Sequence, residues 1–547
     1  MSSEHHLDAL VVGTGFAGIY ALYSLLKEGL QVKAIDTAGD VGGTWYWNRY
    51  PGAMSDTWSH LYRYSFDPEL LREFSFSRRY VTQPEIMDYL RGVVAKYDLR
   101  RHMQFDTGMT AAKWDENKKM WRVECHTGDV FCVRYLVTAV GLLHTANLPK
   151  IPGMETFKGQ ITHTSAWDPT LTLENKRVGV IGVSSTGVQV VTAIASQVKS
   201  LHVFVRRPQF TVPSGDRPLD PEERALILKN YPSIWTDARA STVAMGFPEP
   251  SRKLMSLSPQ DREACLEDLW TGGNGLRFMF GGFSDIITDE RANEEVCRFL
   301  RKKIAGIVKD PQKRAILTPK ELYARRPLCD NGYYEQFNRD NVHAVDIMAH
   351  PITEITPGGI RTSDGTNYDL DVIIFATGFD AMEGSYSRFS IHGRDVREDL
   401  YTRWKREGAD TYLGMSVSDF PNLFLLNGPN AAFANIIPLT ETNVEFMIDL
   451  IRRAEEISKR SGAPCEVEAT AEAERAWTQF SRQSVQGTLF TKVPSWLVGK
   501  NIPGKPEVIP LYLGGLANFR SALADAKARG FEGFRPPLAS SKADAHL

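Results

Sequence analysis

Apolar positions along this chain fall into two kinds of run, and their alternation predicts an α/β protein. Short blocks that are apolar at almost every position, such as Asp8–Val12, Gln31–Ile35, Arg177–Ile181 and Leu201–Val205, predict strands buried on both faces. Between the members of each pair the pattern changes to helical spacing, ending near Gly29 in the first case and near Val198 in the second. A strand–helix–strand unit is therefore expected twice. Two more apolar blocks, Leu136–Gly141 and Val372–Gly378, predict buried strands that end at a glycine. From Asp220 to about Asp310 charged and apolar residues interleave at helical spacing, a section expected to cover an active site. A helical segment follows over Thr440–Lys459, then a Gly/Pro-rich loop, Gly499–Pro510, and a final strand and helix.

Each strand–helix junction carries a glycine fingerprint. The first is Gly13-Thr14-Gly15-Phe16-Ala17-Gly18, where Gly13 allows the tight turn, Gly15 the approach of a pyrophosphate and Gly18 close helix–strand packing. The second is Gly182-Val183-Ser184-Ser185-Thr186-Gly187. It departs at Ser184, whose Cβ crowds a phosphate unless its hydroxyl donates to it. The ends of the following strands differ in charge. Asp36 offers an acceptor to a ribose 2′-hydroxyl, whereas Arg206 and Arg207 suit a 2′-phosphate. An FAD or NAD-like ribose is expected at the first site and NADPH at the second, the layout of an NADPH-dependent flavoenzyme.

Composition narrows the partners. The chain of 547 residues is 42% apolar and 24% charged, with a formal net charge of −2. That balance gives no electrostatic reason to bind nucleic acid or an anionic membrane. No apolar run approaches the roughly 18–20 residues of a membrane span, and no signal-peptide pattern precedes the first strand, so a cytoplasmic protein is expected. Ala545-His546-Leu547 resembles the S-K-L peroxisomal address only in outline. The six cysteines form no C-x-x-C pair, which argues against a disulfide oxidoreductase and leaves no expected zinc site.

The expected fold class is α/β with two Rossmann-like dinucleotide-binding domains, the NADPH domain inserted in a discontinuous FAD domain, plus a helical subdomain. The FAD domain takes residues 1–141 and 381–540, the NADPH domain 142–219 and 336–380, the helical subdomain 220–335, and a disordered tail 541–547. The strand at Val372–Gly378 is taken as the return to the first domain. The expected partners are a small ketone and O2, in a monomer or weak homo-oligomer.

Between the fingerprints lies Phe157-Lys158-Gly159-Gln160-Ile161-Thr162-His163-Thr164-Ser165-Ala166-Trp167-Asp168. It resembles the F-x-G-x-x-x-H-x-x-x-W-P/D signature of the Baeyer–Villiger monooxygenases, with the less usual Asp168 at its end. Gly42-Gly43-Thr44-Trp45, through Tyr50-Pro51-Gly52 to Asp56, resembles the family's second signature. Arg277–Gly281, Arg326–Asp330 and Trp496 through Asn501–Lys505 are also similar, so the resemblance covers nearly the whole chain.

The resemblance implies a flavin C4a-peroxide that attacks a ketone carbonyl, after which a neighbouring carbon migrates to oxygen and an ester or lactone forms. N- or S-oxygenation by the same superfamily is the alternative. A deprotonated peroxide needs a fixed cation that keeps its proton, and an arginine, with a pKa beyond about 12, meets that need. By position in the motif the resemblance implies Arg326 as the catalytic cation, held by Asp56, with Arg325 at the NADPH phosphate. It likewise implies Gly43, Thr44, Trp45, Trp47, Tyr62, Thr377 and Gly378 as cofactor contacts, His163 as a linker residue and Trp496 as the residue closing over NADP⁺. Leu142, Leu143, Phe247, Phe278, Phe280, Phe433, Ala434, Asn435 and Ile436 are implied as an apolar substrate pocket. The small Ala434 implies modest tolerance of larger rings.

Overall fold

The structure, a computed structural model, describes residues 4–536 and 538, and the expected tail with Ala545-His546-Leu547 lies outside the described residues. Two sheets organise the chain. The first has eight strands, in the spatial order Ser390–His392, Met109–Asp115, Met120–Cys125, Val130–Thr138, Glu4–Val12, Val32–Ile35 and Met103–Gln104, with Leu423–Leu425 also pairing to Val130–Thr138. Glu4–Val12 is parallel to both neighbours, and helix Phe16–Lys27 crosses between it and Val32–Ile35. Helix Ile436–Ser461 packs on Phe16–Lys27, burying Leu439, Val444, Met447 and Leu450 against Leu22 and Leu25.

The second sheet is parallel throughout, in the order Gln160–His163, Val372–Phe375, Arg177–Ile181, Ser200–Val205 and Val342–Asp346. Val372–Phe375 is an inner strand here, so it does not mark the return to the first sheet. That return comes with Ser390–His392, which pairs with Met109–Asp115. The physical reason is plain: a strand apolar on both faces declares burial in a parallel sheet, but not which one.

Helices Pro221–Arg239, Pro259–Gly272, Gly275–Phe280, Glu290–Ile307 and Pro311–Leu317 form the section between the strands of the second sheet. Asp220, Ser258, Asn274, Asp289 and Asp310 cap them through side-chain bonds to the first-turn amides, which explains their sharp starts. Arg239 at the end of the first of these helices bonds Glu441, a fully buried carboxylate on helix Ile436–Ser461, at 2.9 Å. Among the described residues no helix is long and apolar enough to cross a membrane.

The two sheets repeat one local design. Gly13 and Gly182 have φ of 108° and 111°, and a Cβ on either would collide with the carbonyl oxygen of Ala139 or Ala376 respectively. Those alanines follow the neighbouring strands Val130–Thr138 and Val372–Phe375. A Cβ at Gly18 or Gly187 would run into the carbonyl of Gly13 or Gly182, so helix and strand touch backbone to backbone.

Candidate active site

A cavity of about 1480 Å³ opens where the C-terminal ends of both sheets face each other. At its first end Gly13, Gly15, Phe16 and Asp36 line the wall, joined by Gly43, Thr44, Trp45, Trp47 and Tyr62. At its second end are Gly182, Ser184, Ser185, Thr186, Arg206, Arg207, Arg325, Thr377, Gly378 and Trp496. Asp56 and Arg326 line the same space. Gly18 and Gly187 stand behind the wall in the helix–strand contacts.

Asp36 is fixed before any ligand arrives. Its Oδ2 accepts from the amide and hydroxyl of Thr14 at 2.7 and 2.8 Å, and its Oδ1 from the Ala38 amide at 2.9 Å. A carboxylate has about four acceptor sites, so these bonds leave capacity for a ribose hydroxyl. At the second site Ser184 takes the helix N-cap position with φ −88° and ψ −169°, nearly the backbone of Gly15 at −77° and −167°. Neither conformation requires a glycine, and the Ser184 hydroxyl makes no capping bond.

Arg207 and Arg325 converge on one carboxylate, Glu321, and Arg206 lies close beside them. Arg207 Nε lies 3.7 Å from it and Arg325 Nη2 is in direct contact, while Arg325 Nε donates to Pro494 O at 2.9 Å. Burial, and then Arg207 and Arg206, push the Arg325 guanidinium down to about 10. Burial and Arg207 also lower Arg206. Three crowded guanidiniums with one carboxylate among them leave this end of the cavity with an excess of positive charge.

Arg326 and Asp56 make a two-pronged pair: Nη1 donates to Oδ2 at 2.6 Å and Nη2 to Oδ1 at 2.9 Å. Burial opposes the charge on Arg326, but the Asp56 carboxylate and its bonds outweigh that and hold the guanidinium above its ordinary value. Tyr62, whose hydroxyl accepts from Trp45 Nε1 at 3.0 Å, is raised by burial and by Asp56. The cation beside the cavity thus stays charged at any working pH.

Leu142, Leu143, Phe433, Ala434, Asn435 and Ile436 line the cavity, but Phe247, Phe278 and Phe280 do not. Phe278 is fully buried, packed against Phe299 and Tyr323. Phe280 sits behind Phe433 with ring centroids 5.9 Å apart, and Phe247 packs on Trp58. Asn435 donates to the carbonyls of Leu61 and Ala244 and caps its helix, so its side chain shapes the wall rather than offering a free donor. His163 also stands outside the cavity, edge-on to Phe379 and bonded to Ser165 at 2.8 Å, with burial lowering its pKa.

Further bonds tie the elements around the cavity to one another. Tyr50 donates to Gln189 Oε1 at 2.8 Å, and Gln189 returns a bond to Met54 O at 3.0 Å, joining the two fingerprints' units. Thr377 donates to Asn147 O at 2.6 Å, and Asn147 and Asn501 tie the Trp496 loop to Phe379. Lys505 bonds Asp380 at 2.6 Å and lies 3.1 Å from Glu383. Glu321, Gln189 and Asn147 have no sequence signal beyond their side-chain types, because their partners are distant in the chain.

Residues 8–212 match the family described as flavin-binding monooxygenase-like. The chain is 47% identical to a Baeyer–Villiger monooxygenase of Pseudooceanicola batsensis over 96% of its own length and 95% of that protein's. It is 46% identical to a phenazine N-monooxygenase of Lysobacter antibioticus, covering 97% of each. It superimposes on the NADP⁺-bound crystal structure of cyclohexanone monooxygenase from Rhodococcus sp. Phi1 with a TM-score of 0.95, 47% identity and coverage of 97% of this chain and 99% of that one. The glycine cradles, the fixed acceptor at Asp36 and the arginine cluster fit FAD and NADPH. The chain belongs to the Baeyer–Villiger monooxygenases, flavin-dependent enzymes that use FAD, NADPH and O2.

Proposed function

We propose that Arg326, fixed by Asp56, is the charge that faces the reacting carbonyl, and that the substrate is a cyclic ketone converted to a lactone. The observation that carries this is the two-pronged Arg326–Asp56 pair opening into the cavity between the two fingerprints. Bound FAD, reduced by NADPH, supplies the chemistry with O2. The chain's own groups do the rest. Arg206, Arg207 and Arg325 hold a 2′-phosphate, and Gly13–Phe16 and Gly182–Ser185 receive the two pyrophosphates at helix N-termini. Arg326 stabilises the negative charge that develops on the ketone oxygen, and Asp56 keeps its planar fork aimed without draining its proton. Trp496 and its tethered loop exclude water. Leu142, Leu143, Phe433, Ala434 and Ile436 give an apolar wall suited to an alicyclic ring.

The test is NADPH consumption by the flavin-loaded protein with cyclohexanone, with products identified by mass. Lactone equal to the NADPH consumed supports the reading; hydrogen peroxide alone defeats it for this ketone. The similarity to a phenazine N-monooxygenase favours a second reading, N-oxygenation of an aromatic heterocycle. A parallel assay with phenazine decides between them by which substrate yields oxygenated product.

A further inference from the structure

Glu4 and His6 lie two positions apart on strand Glu4–Val12, so both side chains stand on one face of the first sheet. The parallel neighbour Val130–Thr138 pairs Cys132 directly with His6, placing the thiol on that same face. His6 Nε2 lies 3.2 Å from Glu4 Oε1, and Cys132 Sγ lies 3.6 Å from that oxygen. All three potential ligand atoms fall within 4.8 Å of one another.

Those separations match a metal. With zinc–oxygen and zinc–nitrogen bonds of about 2.0 Å, a zinc–sulfur bond of about 2.3 Å and tetrahedral angles, oxygen and nitrogen ligands sit about 3.3 Å apart and oxygen and sulfur about 3.5 Å. The nitrogen and sulfur lie within 4.8 Å of each other, and His6 is exposed. The sulfur lies on the floor, 7% exposed, while Glu4 and His6 form an open rim that leaves a fourth position for water. The charges agree as well, since a carboxylate, a thiolate and a neutral imidazole together balance a divalent ion. Besides Lys118, which acts on the thiol, the neighbouring cations are paired elsewhere. Arg122, opposite Cys132 on the next strand, pairs with Glu124, and Arg134 pairs with Asp8 at 2.8 Å.

We propose that Glu4, His6 and Cys132 form a zinc-binding site at the outer end of the first sheet. The site lies at the opposite end of strand Glu4–Val12 from the cavity, about 26 Å along the strand. It is separate from the oxygenation chemistry, and it clips the start of the chain to the strand before Thr138. On binding, zinc takes a sulfur lone pair and two further ligand atoms, and the thiol proton leaves to solvent.

The experiment is a zinc titration of the flavin-loaded full chain against a chromophoric chelator, repeated with Cys132→Ser and His6→Ala. The wild type should take up a single tight equivalent, and each variant should lose at least ~10-fold in affinity, the low end of what even an outer-sphere change costs. Cobalt provides the ligand signature: tetrahedral bands to the red of the flavin absorption, present in wild type and absent in Cys132→Ser. NADPH oxidation should be unchanged in both variants, which also shows that they fold. No tight equivalent in the wild type, or a loss below ~10-fold in either variant, overturns the proposal and leaves the cluster a simple ion pair beside a thiol.

Discussion

Tyr50 Oη donates to Gln189 Oε1 at 2.8 Å, so a side chain from the first fingerprint's unit is bonded to the helix that starts at the second. The contact is backed by backbone: a Cβ on Gly52 would stand 2.8 Å from Gln189 O and 2.9 Å from Ala193 Cβ. The loop that follows Trp47 is thus the bearing on which the two nucleotide units meet.

That contact can be isolated from backbone strain. Gly52 and Gly29 have nearly the same φ, 82° and 81°, but nothing lies within 4 Å of a Cβ on Gly29. Gly29→Ala should cost about 1 kcal/mol in thermal stability and leave NADPH-dependent flavin reduction alone. Gly52→Ala should in addition slow that reduction. Equal reduction rates in the two variants would show that the bearing does not govern hydride transfer.

Arg326→Ala should leave NADPH-dependent flavin reduction near wild type while product formation falls about 10²- to 10³-fold, the scale of losing one preorganised charge. Asp56→Asn, which removes the carboxylate but keeps a similar shape, should reduce product formation more than reduction. Stopped-flow reduction and product analysis separate the two steps. Slowed reduction in Arg326→Ala would make this arginine a cofactor-binding group.

Ser184 occupies a backbone that requires no glycine, and its hydroxyl has no capping partner. Ser184→Gly should therefore raise the KM for NADPH at least ~10-fold, the loss of one donor to a charged oxygen of roughly 1.5–3 kcal/mol. A lower KM would mean that the side chain crowds the phosphate.

The arginine cluster predicts cofactor choice. Arg206→Ala with Arg207→Ala should sharply narrow the preference for NADPH over NADH. Glu321→Gln should widen it, because a carboxylate now occupies two of the three guanidiniums, Arg207 and Arg325, that a 2′-phosphate needs. Both follow from kcat/KM measured with each nucleotide. Full selectivity in the double variant would place phosphate recognition elsewhere.

Phe278 and Phe433 should behave oppositely despite their common assignment from motif. Phe278→Ala removes a fully buried ring and should cost about 3–5 kcal/mol of stability with little change in ring-size preference. Phe433→Ala enlarges the cavity and should shift preference toward larger cyclic ketones at modest cost. Melting curves and a ketone series test both.

These contrasts show what can be read from a chain and what cannot. The fingerprints, Asp36 and the arginines at 206 and 207 were legible because strand, turn, helix and ribose reader follow one another at fixed short spacing. Arg326 and Asp56 were legible through motif. Phe278 and Phe280 were misassigned because two positions on one short helix point in different directions, one into the core and one behind the cavity wall. Val372–Phe375 was given to the first sheet because an apolar strand does not name its neighbours. Glu321, Gln189 and the pairing of His6 with Cys132 depend on contacts between distant segments, which only the fold brings together.

The order of strands in the first sheet also has a consequence for how the protein is made. Leu423–Leu425 and Ser390–His392 complete a sheet begun at Glu4, whereas every strand of the second sheet lies between Gln160 and Phe375. As the chain leaves the ribosome, the second sheet has all its strands available before the first can close. Until then the exposed edges of Val130–Thr138 and Met109–Asp115 wait for partners not yet synthesised. Truncation before residue 425 should thus leave a folded nucleotide-binding insert on an open, aggregation-prone host.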